Sequence, residues 1–201
     1  MAAHTTLMPA TAESNFLSTT WNCDTRFITT SQVECTWMKP VTGEVAINTD
    51  GSLSDNAAGF GAIIRDEVGT PLDVVTGSSE PLTITHHELH GVEAGLNLAV
   101  LKNHTRVSLR SDSMTAVSYL LRPNPKPPWK CHHIWESIKR LRAMFLQCSV
   151  HHTYRETNKA ADFLASSHPT GDFIVIDPNN FSEELKKIVY EDAIVKVYIR
   201  E

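Results

Sequence analysis

Residues 44–66 contain Glu44-Val45-Ala46-Ile47-Asn48, then Thr49-Asp50-Gly51-Ser52, and further on Gly59-Phe60-Gly61-Ala62-Ile63-Ile64-Arg65-Asp66. The first block predicts a short strand, Glu44–Asn48. Thr49–Ser52 reads as its break, with Asp50 at the strand's end. Gly59–Arg65 is an apolar, glycine-punctuated strand. Asp66–Pro71 is a turn around Gly69, and Leu72–Thr76 is a third strand. Short strands joined by tight connections fold as an antiparallel meander.

Downstream the period changes. Leu89, Val92, Leu96, Ala99 and Val100 recur at helical spacing, which predicts a helix from about His87 to Leu101. Arg106–Arg110 alternates as a strand. Ser113–Leu121 reads as a helix capped by Ser113, and the proline-rich stretch Pro123–Pro128 ends it. Cys131–Leu146 is a second long helix, Ser149–Tyr154 a strand and Asn158–Ser166 a short helix. Strands that first form a meander and then alternate with helices imply an α/β fold with a mixed sheet covered by helices. Residues 1–36, rich in Ser and Thr and without period, read as a mobile tail. Residues 169–201 read as an extension in which Ser182 caps a short helix.

Composition narrows the class. The 201 residues are 41% hydrophobic and 20% charged, enough to bury a core. No apolar run reaches the ~18 residues of a membrane helix. The start lacks a basic segment followed by an apolar block, so no secretory signal is expected. Arg26 is the lone basic residue of the first 36, against the Arg-rich pattern of a transit peptide. The cysteines (23, 35, 131, 148) form no C-x-x-C pair, and they read as reduced thiols of an intracellular protein. The nucleus or cytoplasm and a monomeric state are the expectations.

The net charge of −5 is unevenly spread: −2 over residues 1–36, −7 over 37–101, +8 over 102–159 and −4 over 160–201. Lys126, Lys130, Lys139, Arg140, Arg142 and Lys159 make the middle basic. They fit either a solvated helix face or phosphate contact. Trp129 and Trp135 flank this region and read as core or loop packing before base stacking.

Four acids occupy suggestive places. Asp50 and Asp112 end the first and fourth strands. Neighbouring parallel strands lie ~5 Å apart, so pairing of those two would juxtapose the carboxylates. Two such carboxylates repel, and a divalent cation relieves the repulsion. All-oxygen ligands favour Mg²⁺ or Mn²⁺. Glu88 or Glu93 on the long helix, and Asp162 on the short one, would add donors. Periodicity does not choose between the two glutamates. His86-His87-Glu88-Leu89-His90 fails the H-E-x-x-H spacing in either register, which excludes a zincin motif.

These residues carry a family resemblance. Trp37-Met38-Lys39-Pro40, Asn48–Ser52, Ala58–Asp66 with Gly69, Glu88-Leu89 with Gly95–Ala99, Ser111-Asp112-Ser113 and Tyr154–Ala165 follow one another in order. Together they resemble the plant ribonuclease H-like domain of retroelement-derived, reverse-transcriptase-like proteins. The resemblance covers about residues 37–168, which alone are charge-neutral. It implies a ribonuclease H-like fold with a five-stranded mixed sheet, and it selects Glu88 over Glu93. It further implies Asp50, Glu88, Asp112 and Asp162 as catalytic and metal-holding residues, with two Mg²⁺ or Mn²⁺ ions. Asp50 would bridge both ions, and Asp162 would serve the one that aligns the attacking water. Glu88 and Asp112 would serve the one at the leaving 3′ oxygen. The implied reaction is endonucleolytic hydrolysis of the RNA strand of an RNA–DNA hybrid. Ser52, Asn56, His86, Arg155 and Asn158 are the expected substrate contacts. The chain departs from bacterial ribonucleases H in lacking a Gly-His loop before Asp162, in carrying Met114 after Ser113, and in a short Pro123–Lys130 segment in place of a basic handle.

Overall fold

The computed structural model describes residues 6–9, 25–28 and 32–200. The mobile tail expected over residues 1–36 falls mostly outside them. Within them, Thr6–Pro9 pairs in parallel with Thr25–Ile28, and Val33–Cys35 pairs with Tyr198–Arg200.

The unit from Cys35 to Tyr198 is built on a six-stranded sheet. Its strands are β1 (Val45–Leu53), β2 (Ala58–Arg65), β3 (Pro71–Ser79), β4 (Arg106–Ser111), β5 (Gln147–His152) and β6 (Ile174–Ile176). The order is β5-β4-β1-β2-β3-β6. The meander β1-β2-β3 is antiparallel, while β4 and β5 add in parallel on the other side of β1. The expected mixed sheet is present. Its sixth strand comes from the segment read as an extension, because Ile174–Ile176 pairs antiparallel with β3 at its open edge.

β2 shows why the sheet needs helices on both faces, since every residue of Ala58–Arg65 is buried. Phe60, Ala62 and Ile64 pack into one cluster with Leu89, Val92, Leu96, Ala116, Leu120, Trp135 and Ile138. Ile63 points the other way, to Ala160, Leu164, Phe181, Leu185 and Val189. The period-2 alternation of a strand thus feeds two cores. Each fully buried Phe or Ile is worth roughly 1.5–3 kcal/mol. One face carries α1 (Ile84–Leu101), α2 (Met114–Leu121) and α3 (His132–Arg142). The other carries α4 (Lys159–Ser166) and α5 (Glu183–Ala193).

Ser113 caps α2 and Ser182 caps α5 through their hydroxyls, as their sequence positions predict. α3 is shorter than expected: Trp129–Cys131 forms a 3₁₀ turn ahead of it, and it stops at Arg142. Trp135 is core. Trp129 is 82% exposed, with Lys130 Nζ 5.9 Å from its ring centre, so it does not pack inside as expected. Among the described residues no helix is long and apolar enough to cross a membrane.

Candidate metal centre

Two differences from the sequence expectation position the site. First, Thr49–Ser52 does not break β1. Parallel pairing with β4 ends at Thr49 opposite Ser111, but antiparallel pairing with β2 continues to Leu53 opposite Ala58. Ser54 N–H then closes the hairpin onto Ala57 O at 2.8 Å. Asp50 therefore lies inside a strand, one residue past the point where its parallel neighbour stops. Asp112 lies one residue past the end of that neighbour, so both carboxylates emerge at the same edge. Second, α1 begins at Ile84, because Thr83 caps it by accepting from His86 N at 3.2 Å. Glu88 accordingly sits in the second turn of α1, not the first.

Glycines let α1 reach the strand. A Cβ on Gly51 would overlap the backbone nitrogen of Glu88, and one on Gly91 would overlap the carbonyl oxygen of Asp50. The helix backbone thus rests on β1 at Asp50–Gly51, which no larger residue at those points would permit. On the opposite face a Cβ on Gly61 would overlap Leu164, so α4, which bears Asp162, also lies tight against the sheet.

The result is a cluster in which carboxylate oxygens of Asp50, Glu88 and Asp112 all lie within 4.8 Å of one another. They line a cleft of about 260 Å³ together with Asp162, Arg155 and Ser52. Asp162 is on the same cleft wall but outside the three-carboxylate cluster. Its Oδ1 accepts from Arg155 Nη2 at 3.2 Å, an exposed pair at the rim. Glu93 is not part of the cluster.

Electrostatics mark the cluster as an incomplete assembly. Burial, then the charges of Glu88, Asp112 and Asp162, push the Asp50 carboxyl up to about 9. Burial and then Asp112 push Glu88 up to about 8, against a Gly51 N–H and the Arg155 charge, which favour its ionised form. Glu88 Oε2 is shielded from solvent and finds no hydrogen-bond partner among the described residues. Buried oxygens that repel one another and lack donors cost free energy until a cation joins them. The donor set (oxygen only, three carboxylates plus a fourth nearby) fits a hard divalent ion.

The expected substrate contacts divide. Arg155 lies at the rim, and Ser52 lines the cleft, with its hydroxyl 3.3 Å from His168 Nε2. Asn56 is exposed in the turn that joins β1 to β2, and His86 is half-buried in the first turn of α1. Asn158 is fully buried. Its amide donates to Thr49 O and to Asp112 Oδ1, both at 3.1 Å, and its Oδ1 accepts from Asn48 Nδ2 at 3.0 Å. It braces Asp112 from behind rather than facing the cleft. Asn48 carries the chain onward, accepting from Trp37 Nε1 at 3.0 Å and from Arg65 Nη2 at 2.9 Å. Asn48 was not among the sequence-predicted site residues. The available signal was its polar side chain on an otherwise apolar strand, two residues before Asp50.

Comparisons with known proteins agree with this geometry. Residues 48–168 match the model of the reverse transcriptase-like family. An Arabidopsis thaliana protein named "Putative ribonuclease H protein" is 33% identical over 136 residues, which is 65% of this chain and 21% of that protein. The chain thus spans about a fifth of that curated relative. The N-terminal RNase H domain of a Mycobacterium tuberculosis protein is 24% identical, with a TM-score of 0.59, covering 62% of this chain and 91% of that one. RNase H1 of Halobacterium salinarum is 22% identical, with a TM-score of 0.58, covering 62% and 96%. At these identities the solved structures establish the fold. The family match covers more than half the chain and includes Asp50, Glu88, Asp112 and Asp162. The chain belongs to the reverse transcriptase-like family and adopts its ribonuclease H-like fold.

Proposed function

We propose that this domain is a divalent-metal-dependent nuclease that hydrolyses the RNA strand of RNA–DNA hybrids. The observation that carries the reading is the convergence of Asp50, Glu88 and Asp112 within 4.8 Å, with Asp162 on the same cleft and Glu88 Oε2 unpartnered. Two bound divalent ions, Mg²⁺ or Mn²⁺, would supply a nucleophilic water at neutral pH and counter-charge at the scissile phosphate. The chain's own part is positioning. Asp50 is the most hemmed in of the four and would serve both ions. Glu88 and Asp112 hold one side of the cluster. Asp162, from α4, completes the other. Asn158 locks the Asp112 carboxylate by donating to its Oδ1, and Gly51 N–H does the same for Glu88. Arg155 at the rim offers a cation to a substrate phosphate. Ser52, Asn56 and His86 lie along the same end of the sheet and helix, where an A-like hybrid would be read by shape and 2′-hydroxyls. A structural neighbour of the same fold, LC11-RNase H1, was solved in complex with an RNA/DNA hybrid.

A second reading, a nucleic-acid-binding module of weak turnover derived from a retroelement, is favoured by one observation. Asp162 is paired with Arg155 and stands outside the three-carboxylate cluster. One experiment separates the two. Purified protein with Mg²⁺ should cut the RNA strand of a labelled hybrid. Asp112→Asn should reduce cutting on the order of 10³-fold while hybrid binding persists. Retained binding without cleavage at high protein concentration decides for the second reading.

A further inference from the structure

Beside Glu88, on the same turns of α1, lie three histidines that the nuclease reading does not use for chemistry. Ring nitrogens of His86, His87 and His90 all lie within 4.8 Å of one another. Their hydrogen bonding differs. His87 is committed on both sides. Its Nε2 accepts from Leu82 N–H at 3.2 Å, so the neutral ring carries its proton on Nδ1, which faces Ser79 Oγ at 3.2 Å. His86 Nδ1 and His90 Nδ1 are shielded from solvent, and neither finds a hydrogen-bond partner among the described residues.

Leaving a buried imidazole nitrogen unpaired costs roughly 1–3 kcal/mol. Two such atoms, four residues apart on one helix and on rings with nitrogens within 4.8 Å of each other, need either a shared partner or a strained rearrangement. Spacing of i and i+4 puts both rings on one face. His90 is held by Phe60, whose ring centre is 3.9 Å away in a tilted stack. His86 stands edge-on to both other histidines at 5.1 and 6.0 Å. The rings are packed by their neighbours rather than free to swing into water.

We propose that His86 and His90 form a second metal site, a chelating imidazole pair for Zn²⁺, with His87 as its hydrogen-bonded wall. Its chemistry is opposite to that of the carboxylate cluster one turn away. Imidazole nitrogen suits Zn²⁺, whereas an all-oxygen set suits Mg²⁺ or Mn²⁺. The chelating pair would supply two of four tetrahedral positions, and the other two would be filled by water or another donor that enters with the ion. The site does not depend on the nuclease reading, and its test is a binding measurement that stands whichever way the cleavage assay falls.

The probe is Zn²⁺ alone, titrated calorimetrically into the full chain with Mg²⁺ in large excess to load the carboxylates. One equivalent should bind, and X-ray absorption at the zinc edge should show imidazole nitrogens in the coordination shell. His86→Ala, which removes a half-buried side chain with no hydrogen bond, should weaken binding by ~10-fold or more. His90→Gln should do the same, and circular dichroism on both variants checks that the helix is kept. Unchanged affinity in His86→Ala overturns the proposal, as does a zinc shell of oxygens only or no Zn²⁺ binding over Mg²⁺. The first two outcomes would place the ion at the carboxylates or at other surface histidines.

Discussion

Two of the places where the domain buries charge are finished differently. At the last residue of β2, Arg65 meets Asp192 of α5 at 2.7 Å, and the two side chains are 0% and 1% exposed. Their remaining needs are met from inside the fold. Asn48 Oδ1 accepts from Arg65 Nη2, and Tyr198 OH donates to the second Asp192 oxygen at 3.0 Å. The Trp37 ring covers the guanidinium at 3.9 Å. Only Arg65 Nε is left over. At the opposite end of the sheet, Asp50, Glu88 and Asp112 are as crowded but are all carboxyl groups, and among the described residues no cation is part of the cluster. The Arg155 cation stands at the rim with Asp162. The first cluster is closed and holds the fold together. The second gathers carboxylates of one sign, a donor set that a divalent cation would fit. The two are joined by one hydrogen-bonded chain, Arg65–Asn48–Asn158–Asp112.

The sharpest way to break this comparison is at the closed cluster. Asp192→Ala leaves the Arg65 charge buried and alone, and should cost about 3–5 kcal/mol of stability, measured by urea unfolding. The same Asp→Ala change at Asp50 removes a carboxyl packed among other carboxyl groups, strands no buried opposite charge, and should cost far less. Equal losses at the two sites would erase the distinction. Next in size is the close approach that builds the open cluster. Replacing glycine by alanine inside a helix ordinarily stabilises by up to ~1 kcal/mol. At Gly91 the new Cβ would overlap the Asp50 carbonyl, so Gly91→Ala should instead destabilise by about 1–3 kcal/mol.

The pH profile gives a smaller, signed effect. In the metal-free protein Asp50 and Glu88 hold protons up to about 9 and about 8, against ~4 for unfolded carboxylates. The folded state binds those protons more tightly than the unfolded state does. Its extra stability is therefore full below about pH 4 and is lost as pH rises toward 8–9, by at most about 1.4 kcal/mol per pH unit per group. Thermal unfolding at stepped pH should show this fall. Asp50→Asn should flatten it, and saturating Mg²⁺ should remove it. The smallest effect belongs to the rim. Arg155 is 79% exposed, so Arg155→Ala should change stability by less than ~0.5 kcal/mol while weakening hybrid binding in a salt-dependent way.

Much of this was legible beforehand, for local reasons. Ser113 and Ser182 announced their helices because capping needs only an oxygen three residues upstream of a backbone N–H. The apolar, glycine-punctuated run Gly59–Arg65 marked a strand, and the Leu89–Val100 spacing marked a helix. Asp50 and Asp112 ended the first and fourth strands, so that pairing of those strands would bring them together, and the structure supplies that pairing. Where the reading missed, the deciding partner was distant in sequence. Asp50-Gly51-Ser52 looks like a turn locally, yet it stays in β1 because β2 pairs with it to Leu53. Asn158 looks like a polar residue at a helix start, yet Thr49 and Asp112 claim its amide. The segment after residue 168 carries no strong strand signal, yet it supplies β6 and the counter-ion of Arg65.

The sequence by itself determined most element types and, through its motifs, the family and the four candidate acids, because periodicity, capping and motif order are properties of neighbouring residues. Only the tertiary structure decided which charges are satisfied. Whether a buried carboxylate meets a guanidinium 127 residues away, or only other carboxylates, depends on which helix packs over which strand. That same packing separates Asp192, paired with Arg65 inside the fold, from Asp50, which is packed among other carboxylates.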